Sequence, residues 1–320
     1  MKSVNNLTFR ALVVGVLGLA LQAPLHADEE QVLDYQVELP ETPDGAVKFK
    51  PISDDRIPDD GFGEMVRYGE SLFVDTQQLR GKYVGNDMNC VNCHLDRGRK
   101  ADSSPMWAAY TMYPAYRRKN DKVNTNEERV AGCFEFSMNG TPPPPSSKEM
   151  TALMTYMYWM STGAPTGIPL EGRGYPTVAK PAQEPDIRRG KGVYEASCAI
   201  CHGADGEGQK VEGKVVFPPL WGENSYNFGA GMHRINTAAS FIKHNMPLGK
   251  PGTLSDQEAW DVAAYINSHE RPQDPRFDKT LAHTHDVFHA DEQCYYGKEI
   301  DGHVLGTKSY PNPLRETAAR

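Results

Sequence analysis

Cys90-Val91-Asn92-Cys93-His94 is the stretch that decides the fold of this chain. The spacing C-x-x-C-H attaches a c-type haem. Two thiols two residues apart form thioethers to the porphyrin, and the adjacent imidazole then sits on the iron. The pentad recurs as Cys198-Ala199-Ile200-Cys201-His202. A thioredoxin-like pair, or the halves of a zinc ribbon, would also space cysteines this way. Here each pair is followed at once by His, and the pairs lie too far apart in sequence for a ribbon. The reading is two covalently bound haem c groups. Cys90, Cys93, His94, Cys198, Cys201 and His202 bind them, with His94 and His202 on the irons.

The same order of parts surrounds both pentads. Phe62, Met65, Val66, Leu72 and Phe73 have helical spacing and predict a helix over 61–76. After the first pentad, 95–122 reads as an irregular loop around the haem, and 125–136 as a short helix. The prolines Pro142 to Pro145 cannot continue it. Ser146 with Glu149 has the pattern of a capping box. It opens a helix carrying Leu153, Met154, Met157 and Trp159, whose Met stripe reads as core against the haem. In the second half a helix over 186–196 precedes the pentad. A Gly-rich loop follows over 203–208, a further loop over 218–232 and a short helix over 238–244. Ser255 with Glu258 then caps a helix running to about 269. The predicted fold is mainly α, two tandem class I cytochrome c domains. The expected boundaries are a signal peptide over 1–27, an extended N-terminal arm over 28–60, a first domain over 61–163, a Pro- and Gly-rich linker over 164–185, a second domain over 186–272 and a tail over 273–320.

Lys2 and Arg10, a short apolar run over 11–21 and Leu25-His26-Ala27 read as a secretory signal cleaved near Ala27. The expected location is the periplasm, which also suits covalent haem attachment, and no later segment is apolar enough to span a membrane. The net charge of −8 argues against nucleic acid. It also gives no general attraction for an anion, so an anion site must be built from local Arg or Lys. Four of the six cysteines lie in the pentads. For the other two, Cys133 and Cys294, the plain expectation is a disulfide, which an exported protein permits. The tail histidines His283, His285 and His289 are expected to be solvated.

The second axial ligand separates an electron carrier from an enzyme. Met246 lies 44 residues after His202, and Met138 lies 44 residues after His94. If both methionines bind iron, the chain is a plain carrier. Asn245-Met246-Pro247 favours Met246 on the second iron, with Lys243 and His244 as neighbouring candidates. On the first iron Cys133 competes with Met138. Arg129 falls one helical turn before Cys133 and Ser137 one turn after it. An Arg beside a thiol favours the thiolate, and a thiolate ligand lowers a haem potential where His/Met raises it. Spacing alone leaves Cys133 open as ligand, buried thiol or disulfide partner.

Several further segments resemble one family. Gly85-Asn86, then Cys90 to Asp96, then Gly98-Arg99 is similar to the first haem segment of the dihaem, tetrathionate-forming thiosulfate dehydrogenases. Asn124-Thr125, Glu128-Arg129-Val130, Cys133 and Ser137-Met138-Asn139-Gly140 resemble that family's active-site segment. Pro218-Pro219-Leu220-Trp221-Gly222, Ser225-Tyr226-Asn227, Gly229-Ala230-Gly231-Met232, Phe241-Ile242-Lys243 and Asn245-Met246-Pro247 match its second half. The resemblance runs over about 57–272. It implies Cys133 as catalytic sulfur and distal ligand of the first iron. Arg129, Ser137 and an Arg from the 116–118 segment would form the anion site, with Arg117 chosen over Arg118. It further implies Met246 on the second iron, through which electrons leave to a soluble acceptor cytochrome c. The implied reaction joins two thiosulfates into tetrathionate and can run backwards. The competing readings are a dihaem carrier without a substrate and an electron-accepting subunit of a sulfur-oxidising complex.

Overall fold

Each half is built on one helix crossing, and a glycine sits at both contacts. The computed structural model describes residues 46–117, 119–312 and 314. The expected signal peptide, and the expected arm as far as residue 45, lie outside the described residues. In the first half the Gly61–Val74 helix crosses the Lys148–Met160 helix. A Cβ on Gly69 would stand 2.0 Å from the Ala152 carbonyl oxygen and 2.8 Å from the Tyr156 Cβ. In the second half Ile187–Ser197 crosses Asp256–Asn267. There a Cβ on Gly190 would stand 2.0 Å from the Asp261 carbonyl oxygen and 2.9 Å from the Tyr265 Cβ. Backbone can approach backbone this closely only without a side chain between them. Gly69→Ala and Gly190→Ala are each expected to cost about 1–2 kcal/mol, because overpacking outweighs alanine's helix propensity. Gly192, on the same helix as Gly190, has no atom within 4 Å of the added Cβ. Gly192→Ala should therefore leave the holoprotein's unfolding midpoint equal or higher. Equal midpoints for all three variants would remove the crossing as the reason for these glycines.

The caps explain where these helices start. Asp60 accepts from the Gly63 amide, Asp186 from Arg189 and Ser255 from Glu258. The expected cap at Ser146 is displaced by one residue. Ser146 sits at φ 59° in the turn after the prolines, so Ser147, in extended geometry, accepts from the Met150 amide instead.

Two apolar clusters follow the two crossings. Val66, Leu72, Phe73, Trp107, Tyr156 and Trp159 lie in the first, and Tyr194, Trp221, Ile242, Trp260 and Val262 in the second. The expected core stripe is largely buried: Leu153, Met157 and Trp159 are buried, and Met154 is half-buried against the same cluster. The 95–122 stretch is more regular than expected. It holds the Met106–Tyr110 helix and one strand of an antiparallel hairpin, Ala115–Arg117 with Lys122–Asn124. Three-residue strands are too short to show an alternating pattern. A second hairpin, Gln209–Val211 with Lys214–Phe217, was unread for the same reason.

The tail corrects two expectations. Cys133 and Cys294 are both free thiols, so no disulfide joins them. His283 is exposed as expected, but His289 is fully buried, beside Cys294 at 1% exposure. Phe228, Cys294, Tyr296 and Leu305 form a third, small apolar cluster, which needs the chain from both 228 and 294–305.

Candidate active site

Thr125 starts the segment that carries the site. Its hydroxyl accepts from the Glu128 amide, and the Glu128 carboxylate accepts from the Thr125 amide, a reciprocal cap. The helix Asn126–Gly132 that follows ends in a π-helical turn, Cys133–Ser137. The expected continuous helix over 125–136 is thus widened at its C-terminal end. Such turns re-aim side chains and are frequent at functional sites. Here the result is that Cys133, Ser137 and Met138 all face one cavity, together with Cys90, Cys93 and His94. Phe73, Leu153 and Met157 are among its apolar walls.

Three thiols share the cavity and differ in charge. Burial pushes Cys90 and Cys93 up to about 12. Burial raises Cys133 too, but the Arg129 charge and the His94 ring outweigh it and hold the thiol at about 6. Arg129 Nη1 donates to Cys133 Sγ at 3.0 Å. The guanidinium thus favours the Cys133 thiolate, as expected for a thiol beside an Arg.

The imidazoles are oriented for metal binding. His94 Nδ1 donates to the Ser104 carbonyl at 2.7 Å, and His202 Nδ1 to the Pro218 carbonyl at 2.9 Å. A carbonyl only accepts, so each Nε2 keeps a lone pair for an iron. An apolar cavity, a pair of thiols on its wall and a lone-pair nitrogen fit a haem at the first pentad. At the second, Cys198 and Met246 pack against the second apolar cluster. Met246 follows the helix Ile235–Asn245. Lys243 is engaged elsewhere, with the Leu254 carbonyl at 2.6 Å and Asp256 at 3.0 Å. The buried Asn245 amide reaches the Asp102 carbonyl at 2.9 Å. One loop, 102–104, thus orients His94 and anchors the residue before Met246, so the two sites abut.

Among the expected anion-site residues, Arg129 contacts Cys133, and Ser137 lines the same cavity as Cys133. Arg117 stands further out and donates to the Tyr113 hydroxyl at 2.9 Å. Tyr113 in turn acts on Arg129, whose charge is favoured first by Cys133. Arg118 lies outside the described residues. Lys119 was missed. Its stem is exposed, but its ammonium tucks onto the Gly229 carbonyl and 3.9 Å over the Phe136 ring. Burial, then the Arg276 and Arg129 charges, lower it to about 7. Arg276 also stacks on Phe136, at 5.1 Å. No spacing signal marked either residue, since one lies just beyond the Arg pair and the other in the tail.

The second half clamps the π-helical turn from behind. The buried Asn86 amide bridges the Ser137 and Ser225 carbonyls at 2.8 and 2.9 Å. Asn227 donates to the Glu135 carbonyl at 2.9 Å, and its backbone amide to Phe136 at 3.2 Å.

Comparison with known proteins adds the following. Residues 78–166 match the family model "SoxA/TsdA, cytochrome c domain", and 185–266 match "Cytochrome C oxidase, cbb3-type, subunit III". The chain is 54% identical to the thiosulfate dehydrogenase of Stutzerimonas stutzeri (strain A1501), over 92% of this chain and 96% of that protein. It is 52% identical to the thiosulfate dehydrogenase of Thiomonas intermedia (strain K12), over 83% and 85%. Among solved structures it resembles thiosulfate dehydrogenase (TsdBA) from Marichromatium purpuratum in its as-isolated form, with a TM-score of 0.79 and 52% identity. That match covers 82% of this chain and 58% of the longer solved chain. The fold is two cytochrome c domains, and the two pentads attach two c-type haems.

Proposed function

The chain belongs to the thiosulfate dehydrogenase family, and from that premise we propose that it joins two thiosulfates into tetrathionate at the cavity holding Cys133, Arg129 and Ser137. The observation that carries this reading is the 3.0 Å contact of Arg129 with the sulfur of Cys133, which lines one cavity with Cys90, Cys93 and His94. Cys90, Cys93, His94 and Cys133 would hold the first haem. Cys198, Cys201, His202 and Met246 hold the second. When bound, the two haems supply two one-electron acceptors, which matches the two electrons the reaction releases.

The protein's own part is electrostatic and nucleophilic. Thiosulfate is a dianion, and two dianions repel strongly in a cavity of low dielectric. The Arg129 guanidinium can hold two sulfonate oxygens at once. Lys119, poised near neutrality, takes a full charge as a dianion arrives. Ser137 offers a hydroxyl to the same oxygens, and Arg117 steadies the site through Tyr113. The Cys133 thiolate bonds to the outer sulfur of the first thiosulfate, forming a cysteine S-thiosulfonate and giving up two electrons. The second thiosulfate attacks that same sulfur, and the thiolate leaves, as in disulfide exchange. Tetrathionate departs and Cys133 is restored. Every step is reversible, so tetrathionate reduction uses the same residues. A soluble acceptor cytochrome c takes the electrons. The protein is read as exported to the periplasm, and among the described residues no helix is long and apolar enough to cross a membrane.

The test is thiosulfate-dependent ferricyanide reduction by holoprotein with both haems loaded, with products counted. Two thiosulfates lost per tetrathionate formed is the expected result. A second reading, a carrier without a substrate, draws on Met138, which lines the same cavity and is 3% exposed. Absence of turnover, together with a His/Met spectrum for the first haem, would favour that reading.

A further inference from the structure

Behind the π-helical turn lies a group of side chains of metal-ligating type, separate from both haem pentads. His233, His289 and Cys294 are buried, and one ligand atom from each lies within 4.8 Å of the others. The hydrogen bonds fix which ring nitrogens are free. Asp274 is locked by Arg276, with contacts at 2.6 and 3.0 Å, so its carboxylate accepts. His289 Nε2 donates to it at 2.8 Å, which leaves the His289 Nδ1 lone pair 3.4 Å from Cys294 Sγ. His233 Nδ1 donates to the Ala230 carbonyl. Its Nε2 therefore also carries a lone pair, and that atom is buried with no partner among the described residues. Leaving such an atom unpaired costs about 1–3 kcal/mol.

We propose that His233 Nε2, His289 Nδ1 and Cys294 Sγ form a site for one thiophilic transition ion, zinc(II) or copper(I). Two features beyond proximity support it. Metal-bound imidazoles hold their second N–H on a carboxylate or a backbone carbonyl, and both arrangements are present. In a tetrahedral zinc site a sulfur and a nitrogen ligand stand about 3.5 Å apart, close to the 3.4 Å between Cys294 and His289. The widest separation needs to close by about 1 Å. The donor set, two imidazoles and one thiolate, suits zinc or copper rather than calcium or magnesium. Binding releases the Cys294 proton. Tyr296 stacks on His289 at 4.2 Å and walls the group from solvent. The ion would tie the tail to the Gly231–His233 turn, close to the Asn227 clamp on the catalytic turn. The site does not rest on the thiosulfate reading.

The test uses holoprotein dialysed against a chelator, with its two irons per chain as internal count. It is titrated with zinc(II), and anaerobically with copper(I), against a chromophoric competitor. The expected result is one ion per two irons with submicromolar affinity and a raised unfolding temperature. Which ion binds more tightly assigns the metal. Cys294→Ser and His233→Ala should each weaken uptake at least about tenfold, while His283→Ala, on the exposed tail histidine, leaves it unchanged. X-ray absorption at the metal edge of the wild type, which needs no variant to fold, should show one sulfur near 2.3 Å and nitrogens near about 2.0–2.1 Å. No uptake, uptake equal in wild type and Cys294→Ser, or an edge spectrum without sulfur would each overturn the site.

Discussion

Cys133→Ala is expected to keep both haems and lose tetrathionate formation by at least about 10³-fold, the scale on which removing a nucleophile acts. Of the three cysteine sulfurs that line the cavity, Cys90 and Cys93 are bonded to the haem in the holoprotein, which leaves Cys133, beside the Arg129 guanidinium, as the one free to act as a nucleophile. Alanine removes the sulfur that carries the first thiosulfate and disturbs neither pentad. The haem count, by pyridine haemochrome, should remain two per chain. Low-temperature EPR of the first haem should change from a thiolate-ligated signal to that of another ligand set. Met138, which follows the same turn and lines the same cavity, is the expected replacement. Full turnover in Cys133→Ala would exclude the covalent route. An unchanged EPR signal with lost turnover would keep Cys133 as the nucleophile and remove it as a ligand.

The legible parts of this chain are those where chemistry fixes spacing. Each pentad must place two thiols and an imidazole together, so Cys90 to His94 and Cys198 to His202 were readable without any fold. The helices Gly61–Val74 and Asp256–Asn267 were readable because burying one face imposes a period over three turns. Arg129 and Cys133 were readable as a pair because i and i+4 share a helix face. What closes over the pair was not. Lys119 and Arg276 reach Phe136 from a hairpin and from the tail, 17 residues before it and 140 after it. The buried His233, His289 and Cys294 are likewise united only by the fold. Sequence suggested a disulfide for Cys294 because a cysteine in an exported chain usually has a cysteine partner. The fold gives it histidines instead.

Arg129→Ala should lower kcat/KM for thiosulfate by about 10²–10³-fold, which corresponds to about 3–4 kcal/mol of lost transition-state stabilisation. Arg129 has two tasks, and the kinetic constants separate them. Its 3.0 Å contact favours the Cys133 thiolate, and its guanidinium fork can pair with an entering sulfonate. Alanine leaves a cavity that must bring together two dianions and a thiolate with only Lys119 and the more distant Arg117 and Arg276 to offset them. KM rises because binding loses its bidentate partner, and kcat falls because charge accumulates as the second thiosulfate approaches the first. Arg129→Lys separates charge from shape. A lysine restores the cation but not the planar fork, so kcat should recover more than KM. The assay is run at several salt concentrations, because ions screen charges that water reaches. If charge is the larger task, the deficit of Arg129→Ala relative to Arg129→Lys shrinks as salt rises. If Arg129→Ala leaves kcat/KM unchanged, the anion site belongs to Lys119 and Arg276, which both pack on the Phe136 ring.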